Sequence, residues 1–259
     1  MIESASNQRI KEIKLLQKDA GSRRERGLFV IEGARSLFDV MGHSGVELRE
    51  IYVTKAFLSE NSGSMEHLSP GSFETVSEKA MDAMSDTKTP QGILAVAVQP
   101  KWHETDIFSD GGFVLALDGV RDPGNMGTIF RTALAAGING LVLSEDCVDV
   151  FNPKVVRATM SAVARMPFIY TSDLPRLIRL RRLSGAHCMA AAIDDTAGSL
   201  FDADMSGDVI VVVGNEAAGV SRAVMNECGS RLYIPMNNNI ESLNVSVAAA
   251  LIMYERSRA

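Results

Sequence analysis

The sequence predicts an α/β protein in two parts, a small N-terminal α/β domain over residues 1–98 and a domain over 113–259 built on a parallel sheet. Three observations carry this prediction. Six short apolar runs follow residue 112: FVLALDG (113–119), NGLVLSE (139–145), PFIYTS (167–172), HCMAAAI (187–193), DVIVVVG (208–214) and RLYIPM (231–236). They are mostly Val, Ile, Leu and Ala with little alternation, as a parallel sheet covered on both faces requires. Helix-length segments separate them, at 126–136, 153–165, 174–183 and 220–227, with a last helix at 243–256. Between the two parts, QPKWHETDIFSDGG (99–112) carries Pro and Gly with no sustained periodicity and reads as a linker.

The N-terminal elements follow from local pattern. Residues 7–18 set Ile10, Ile13, Leu15 and Leu16 among charges at near-helical spacing, an amphipathic helix expected to end at Gly21. SRRERG then leads into the strand LFVIEG, closed by Gly33, and ARSLFDVMG reads as a helix ended by Gly42. Strands follow at 48–54, 73–77 and 92–98, with a helix at 77–85 for which Ser77 is the candidate cap.

Composition narrows the function classes. With 46% hydrophobic and 22% charged residues, the 259-residue chain has the make-up of a globular protein with a sizeable core. No apolar run reaches the roughly 20 residues that span a bilayer, and the N-terminus is charged and periodic where a signal peptide would be apolar, so a cytoplasmic protein without membrane association is expected. Cys147, Cys188 and Cys228 are far apart, and His43, His67, His103 and His187 are scattered, so neither a disulfide framework nor a metal site is expected. The net charge of −6 hides a segregation: residues 1–35 hold eight Lys or Arg against five acids, 36–99 four against nine, and 154–182 seven against one. Basic patches on an acidic body are the footprint of a phosphate-bearing partner, although a solvated face gives the same pattern.

The chemistry is expected in the loops after strands, since an open parallel sheet binds ligands at the carboxyl ends of its strands. The first of these strands runs into DGVRDPGNMGTIFRTALAAG (118–137), with Pro123 and Gly124 at a turn and Asn125 and Arg131 six residues apart. This is not a dinucleotide fingerprint, because the leading GxG is missing. GNEAAGVS (214–221) puts Glu216 in a Gly-bounded turn at a helix entrance. The third loop opens IPMNNNIESLNVSVAAALIMYE (234–255), where Ser242, Asn244 and Ser246 interrupt an apolar run and need partners. Singly, each has a bland reading as turn glycines, an N-terminal acid or a polar cap.

In this order and spacing the three segments resemble the signature motifs of the SpoU (TrmH) family of RNA ribose 2′-O-methyltransferases, within the knotted SPOUT superfamily. The resemblance covers residues 113–256, including NPKVVRATMSAVARMP (152–167), and EGARSLFDV (32–40) resembles the family's RNA-binding extension, a domain similar to ribosomal proteins. It implies a deep trefoil knot in the C-terminal domain, S-adenosylmethionine as cofactor, and a homodimer formed through that domain. Matched residue by residue, Gly214, Ile234, Met236, Leu243 and Asn244 would line the cofactor pocket, while Asn125, Arg131, Glu216, Ser242 and Asn244 match positions important for activity. One departure is visible: Asn238 stands where the third motif usually has glycine. Asn tolerates left-handed backbone angles better than other non-Gly residues.

Two basic stripes are candidate RNA contacts. Lys11, Lys14 and Lys18 recur at three- and four-residue intervals on the first helix. Arg176, Arg179, Arg181 and Arg182 fall on a helix whose Leu177, Leu180 and Leu183 are expected to pack. The compact extra domain favours structured ribosomal RNA as substrate over transfer RNA. A non-catalytic RNA-binding assembly factor is the reading from another class, against which the intact set of Asn125, Arg131, Glu216, Ser242 and Asn244 speaks.

Overall fold

The computed structural model describes residues 2–4, 6–43, 45–65, 71–237 and 241–258; Asn238 lies outside them. The chain divides into two compact units, Met1–Pro100 with Asp149–Arg165, and Lys101–Val148 with Met166–Ala259. The stretch 149–165 thus clusters with the first unit, whereas the sequence reading places it in the second part.

In the first unit, α1 (Gln8–Lys18) and α2 (Ala20–Arg26) lead to β1 (Leu28–Glu32), α3 (Ala34–Met41), β2 (Leu48–Thr54), α4 (Lys55–Glu60) and α5 (Ser62–Met65). Then come β3 (Glu74–Val76), α6 (Glu78–Met84) and β4 (Ile93–Val98). The sheet order is β1-β4-β2-β3, antiparallel except for the parallel pair β2/β3. Ile10, Ile13 and Leu16 of α1 pack with Met81 and Met84 of α6 onto Val30, Tyr52, Leu94 and Val96. As expected, Ser77 caps α6 by accepting from Ala80 N–H.

Helix α1 ends at Lys18 and not at Gly21, because Asp19 closes it and at the same time caps α2 through Ser22 N–H. The polar sequence AGSRRER of α2 has no apolar face, and its anchor is Arg23, which is 3% exposed. The Arg23 guanidinium donates through Nε and Nη2 to Asp149 at 2.9 and 2.6 Å, and through Nη1 to the Leu16 carbonyl at 2.7 Å.

The second unit contains α7 (Glu104–Ile107), β5 (Phe113–Asp118), α8 (Pro123–Ala136) and β6 (Gly140–Ser144) before the chain passes through α9 (Pro153–Thr159) in the first unit. It resumes with β7 (Phe168–Thr171), α10 (Leu174–Leu183), β8 (His187–Ala191), β9 (Gly198–Ser199), β10 (Val209–Gly214), α11 (Arg222–Glu227), β11 (Ser230–Tyr233) and α12 (Val245–Arg256). Seven parallel strands form one sheet in the order β7-β6-β5-β10-β8-β11-β9. Val114, Ala116, Ile210 and Val212 face one side, against Leu174 and Ile178 of α10 and Val224 of α11. Helices α8 and α12 pack on each other, and α12 covers β5 and β10.

Several boundaries move from the sequence expectation for local reasons. Helix α8 starts at Pro123, because Asp122 caps it through Asn125 N–H at 2.8 Å and proline is tolerated in a first turn. The helix expected over 153–165 stops at Thr159: Met160 and Ser161 take φ values of 50° and 77°, and a short 3₁₀ turn follows over Ala162–Ala164. Helix α12 starts at Val245 with Asn244 as its cap, leaving Leu243 outside it, and α11 starts at Arg222 behind the cap Ser221. The 99–112 stretch holds the one-turn α7, with Asp106 accepting from His103 N–H at 2.7 Å. Among the described residues no helix is long and apolar enough to cross a membrane.

Removing the Arg23 side chain strips α1 of its carbonyl cap and leaves Asp149 without its cation, with Phe151 N–H still donating to the carboxylate. Because Asp149 is partly exposed, Arg23→Ala is expected to cost about 2–3 kcal/mol, below the figure for a fully buried pair. Urea unfolding of the full chain followed by circular dichroism measures this, and a change under about 0.5 kcal/mol would show that the anchor is dispensable.

Candidate functional site

In the second unit the β10 register sets Gly214 beside Asp118 at the end of β5, so the loops leaving these two strands start side by side. A cavity of about 650 Å³ opens there, lined by residues from the loops after β8, β10 and β11 and the start of α12. Its volume lies within the roughly 300–1,000 Å³ common for small-molecule sites. Gly214, Glu216, Ile234, Met236, Ser242, Leu243 and Asn244 all line it. Part of the wall is apolar, from Ala191, Val213, Leu232 and Val245, and part is backbone of the β10 turn.

Two side chains that line this cavity, Glu216 and Asn244, are bridged by a third, Asn125, which does not line it. Asn125, in the first turn of α8, donates through Nδ2 to Glu216 Oε1 at 2.9 Å. Asn244 donates through Nδ2 to Asn125 Oδ1, also at 2.9 Å. Asn244 Oδ1 in turn accepts from Ser246 N–H at 2.8 Å and from the Ser246 hydroxyl at 2.7 Å. Donation therefore runs one way, from the N-terminus of α12 through two amides to a carboxylate. Ser246 is buried, and Asn244 is the partner that its hydroxyl needs.

The β10 turn is tight. A Cβ on Gly214 would fall 2.0–2.2 Å from the backbone of Gly219 and Val220. Asn215 and Gly219 exchange backbone hydrogen bonds at 3.1 and 2.8 Å, with Gly219 at φ +68°. Asp118 accepts from Ser221 N–H at 2.7 Å, fixing the far side of the turn to β5. At the cavity edge, Thr196, through its hydroxyl and its N–H, and Arg231 hold the Asp194 carboxyl down to about 2, and the carboxylate is ion-paired with Arg231 at 2.7 Å.

Arg131 is exposed on α8, does not line the cavity, and makes no hydrogen bond or ion pair among the described residues. Lys11, Lys14 and Lys18 are all exposed on α1. On α10 the buried positions are Leu174 and Ile178, while Leu180 and Leu183 face solvent, so the expected packing of Leu177, Leu180 and Leu183 on one face is corrected. Arg181 stacks on the Phe108 ring at 3.6 Å and pairs with Glu104, and Arg182 donates to the Glu227 carbonyl at 2.9 Å. Arg176 and Arg179 keep exposed side chains. A second cavity, of about 580 Å³, lies at the other end of β8 and β11, by His187, Ser230 and Arg231, and no catalytic-motif candidate lines it.

Residues 112–254 match the SpoU rRNA Methylase family. The chain belongs to that family. Residues 7–95 of this SpoU chain match the MRM3-like substrate binding domain. It is 33% identical over 259 residues to the 23S rRNA (guanosine(2553)-2′-O)-methyltransferase RlmP of Bacillus subtilis, covering 98% of this chain and 97% of the relative. The AdoMet-bound rRNA methyltransferase from Sinorhizobium meliloti superposes with a TM-score of 0.83 at 27% identity, covering 99% of this chain and 97% of that one. A putative RNA methyltransferase of the TrmH family from Porphyromonas gingivalis gives 0.83 at 32% identity, over 98% and 99%.

Sequence reasoning passed over residues of this SpoU site that act on backbone. Asn215 holds the turn as an Asx turn, accepting from Ala217 N–H and Ala218 N–H, and Asp118 ties the turn to β5 by accepting from Ser221 N–H.

The close approach at Gly214 separates two glycines of one turn. Gly214→Ala forces backbone to move and is expected to destabilise by about 2–3 kcal/mol, whereas Gly219→Ala, with open space around its Cβ, costs about 1 kcal/mol through its positive φ. Thermal melts of the two variants check the order, and equal losses would contradict it.

Proposed function

We propose that this chain is an S-adenosylmethionine-dependent methyltransferase that acts in the cytoplasm on a ribose 2′-hydroxyl of ribosomal RNA. The observation that carries the reading is the one-way chain Asn244–Asn125–Glu216 at the rim of a cavity walled by backbone and apolar side chains. RlmP of B. subtilis, named for this reaction on 23S rRNA, and the AdoMet-bound structure from S. meliloti support it. The trefoil threading of the family is part of the same proposal.

The residues present fit the cofactor. Ala191, Val213, Leu232 and Val245 offer apolar surface to a flat ring, and the β10 turn offers backbone. Bound there, S-adenosylmethionine supplies a sulfonium-activated methyl group, and the chain supplies position and the exclusion of water. Asn125 and Asn244 each have a second N–H beyond the bond they make, and Glu216 keeps one carboxylate oxygen, so together they present two donors and an acceptor to a ribose. Ser242 and Leu243 close the cavity beside them. Arg131 clamps a substrate phosphate and stabilises the alkoxide as the hydroxyl proton leaves to phosphate or water, since a guanidinium does not give up its own proton. Lys11, Lys14 and Lys18, with Arg176 and Arg179, bind RNA phosphates.

The protein works as a homodimer. Val247, Leu251 and Tyr254 of α12 are 48%, 40% and 50% exposed and sit four and three residues apart, one apolar stripe on a helix that packs against the Arg131-bearing α8. A second copy of the same stripe is its complement.

Methyl transfer from labelled S-adenosylmethionine to ribosomal RNA, followed by mapping of 2′-O-methyl sites, tests the reading. Incorporation into base positions, or none, would overturn it. Arg131→Ala is expected to lower transfer by about 10²-fold or more with cofactor affinity little changed, and Arg131→Lys should also be poor because a point charge does not reproduce the planar fork. Near-normal turnover in Arg131→Lys would remove the bidentate role. Leu251→Glu is expected to shift the chain from dimer to monomer in sedimentation, and an unchanged mass would move the interface off α12.

A further inference from the structure

Asn215 uses its amide on both sides at once. Its Oδ1 accepts from Ala217 N–H at 2.9 Å and Ala218 N–H at 3.2 Å, which shapes the turn from inside. Its Nδ2 donates to the Gly119 carbonyl at 2.8 Å, which ties the turn to the loop after β5. Gly119 is fixed from the other direction too, its N–H donating to Ser144 Oγ at 2.9 Å. Three residues beyond Gly119 stands Asp122, the cap of the helix that carries Asn125, and one residue beyond Asn215 stands Glu216. The Nδ2 bond therefore sets the distance between the loop leading to Asn125 and the turn bearing Glu216.

We infer that Asn215 is a positioning residue with two separable tasks: its oxygen shapes the Ala217–Gly219 wall of the cofactor cavity, and its NH₂ holds Glu216 in register with Asn125. The inference rests on the methyltransferase reading above. Replacement separates the tasks. Asn215→Asp keeps the oxygen that accepts from Ala217 and Ala218 but sets a second oxygen against the Gly119 carbonyl, so the wall persists while the register is lost. Asn215→Ala removes both.

The test uses the full chain in two measurements, calorimetric titration with S-adenosylmethionine in the absence of RNA, and methyl transfer to ribosomal RNA at saturating cofactor. For Asn215→Asp the expected cofactor Kd lies within about threefold of wild type at unchanged stoichiometry, while kcat falls about tenfold or more, because small misplacements of positioned groups are costly. For Asn215→Ala both the cofactor affinity and kcat fall about tenfold or more. A wild-type kcat in Asn215→Asp overturns the inference, as does unchanged cofactor affinity in Asn215→Ala. A drop in kcat of Asn215→Asp matched by an equal drop in binding stoichiometry also overturns it, since that is loss of folded protein. If the wild-type chain binds cofactor but transfers no methyl group, the functional reading fails before any variant is compared, and this inference falls with it.

Discussion

The bond from Ser246 N–H to Asn244 Oδ1 decides the polarity of the whole site. An N–H at a helix start must meet an acceptor, so the Asn244 amide has to turn its oxygen toward α12 and its NH₂ outward. Asn125 must then offer oxygen to Asn244 and NH₂ to the remaining neighbour, and that neighbour must be an acceptor, which Glu216 is. A helix terminus thereby orients groups 119 and then 91 residues away in sequence without any charged group in the first turn of α12.

Sheet register delivers the same groups to one place. Parallel pairing of β5 with β10 aligns Leu117 with Val213 and Asp118 with Gly214, so the two loops leave the sheet at the same level. Their bodies are then stitched by side chains that reach for backbone: Asn215 to Gly119, Asp118 to Ser221, Ser144 to Gly119. Side chain to backbone bonds suit this task because a backbone group cannot rotate away, and each such bond fixes a segment of chain as well as an atom. The glycine at 214 is a consequence, since nothing with a Cβ fits where the turn folds back on its own strand.

What was legible in the sequence follows from which forces left a pattern. The strands of the second unit are apolar runs because both faces of the sheet are covered, and each run coincides with a strand, apart from the two-residue β9, too short to leave a pattern. The break after Thr159 left none, because Met160 and Ser161 adopt left-handed angles without the glycine that would announce them. Helix α2 was missed because its stability comes from one buried arginine and not from an apolar face. On α10, leucines at every third position fall about 60° short of a turn at each step, so Leu177, Leu180 and Leu183 wind away from one another and the four-residue pair Leu174 and Ile178 takes the core. The motif order identified the site's loops through family resemblance, while the work of Asn215 was hidden because its partners are amides and carbonyls that every residue has.

The arginines divide into those held in ion pairs and those without one among the described residues. In a chain of net charge −6, acids outnumber bases, and Arg9, Arg23, Arg121, Arg157, Arg165, Arg181 and Arg231 are each held in an ion pair. Arg131 differs by its surroundings on α8, where the positions three and four residues to either side are Gly127, Thr128, Leu134 and Ala135. None offers a carboxylate, so no helical neighbour neutralises it. Lys14 on α1 has Ile10, Lys11, Gln17 and Lys18 at the same offsets, again without an acid. A cation left unpaired in an acid-rich chain keeps its full field for an incoming anion, and a phosphate chain is the anion whose repeated charges reward several such residues spaced along one helix.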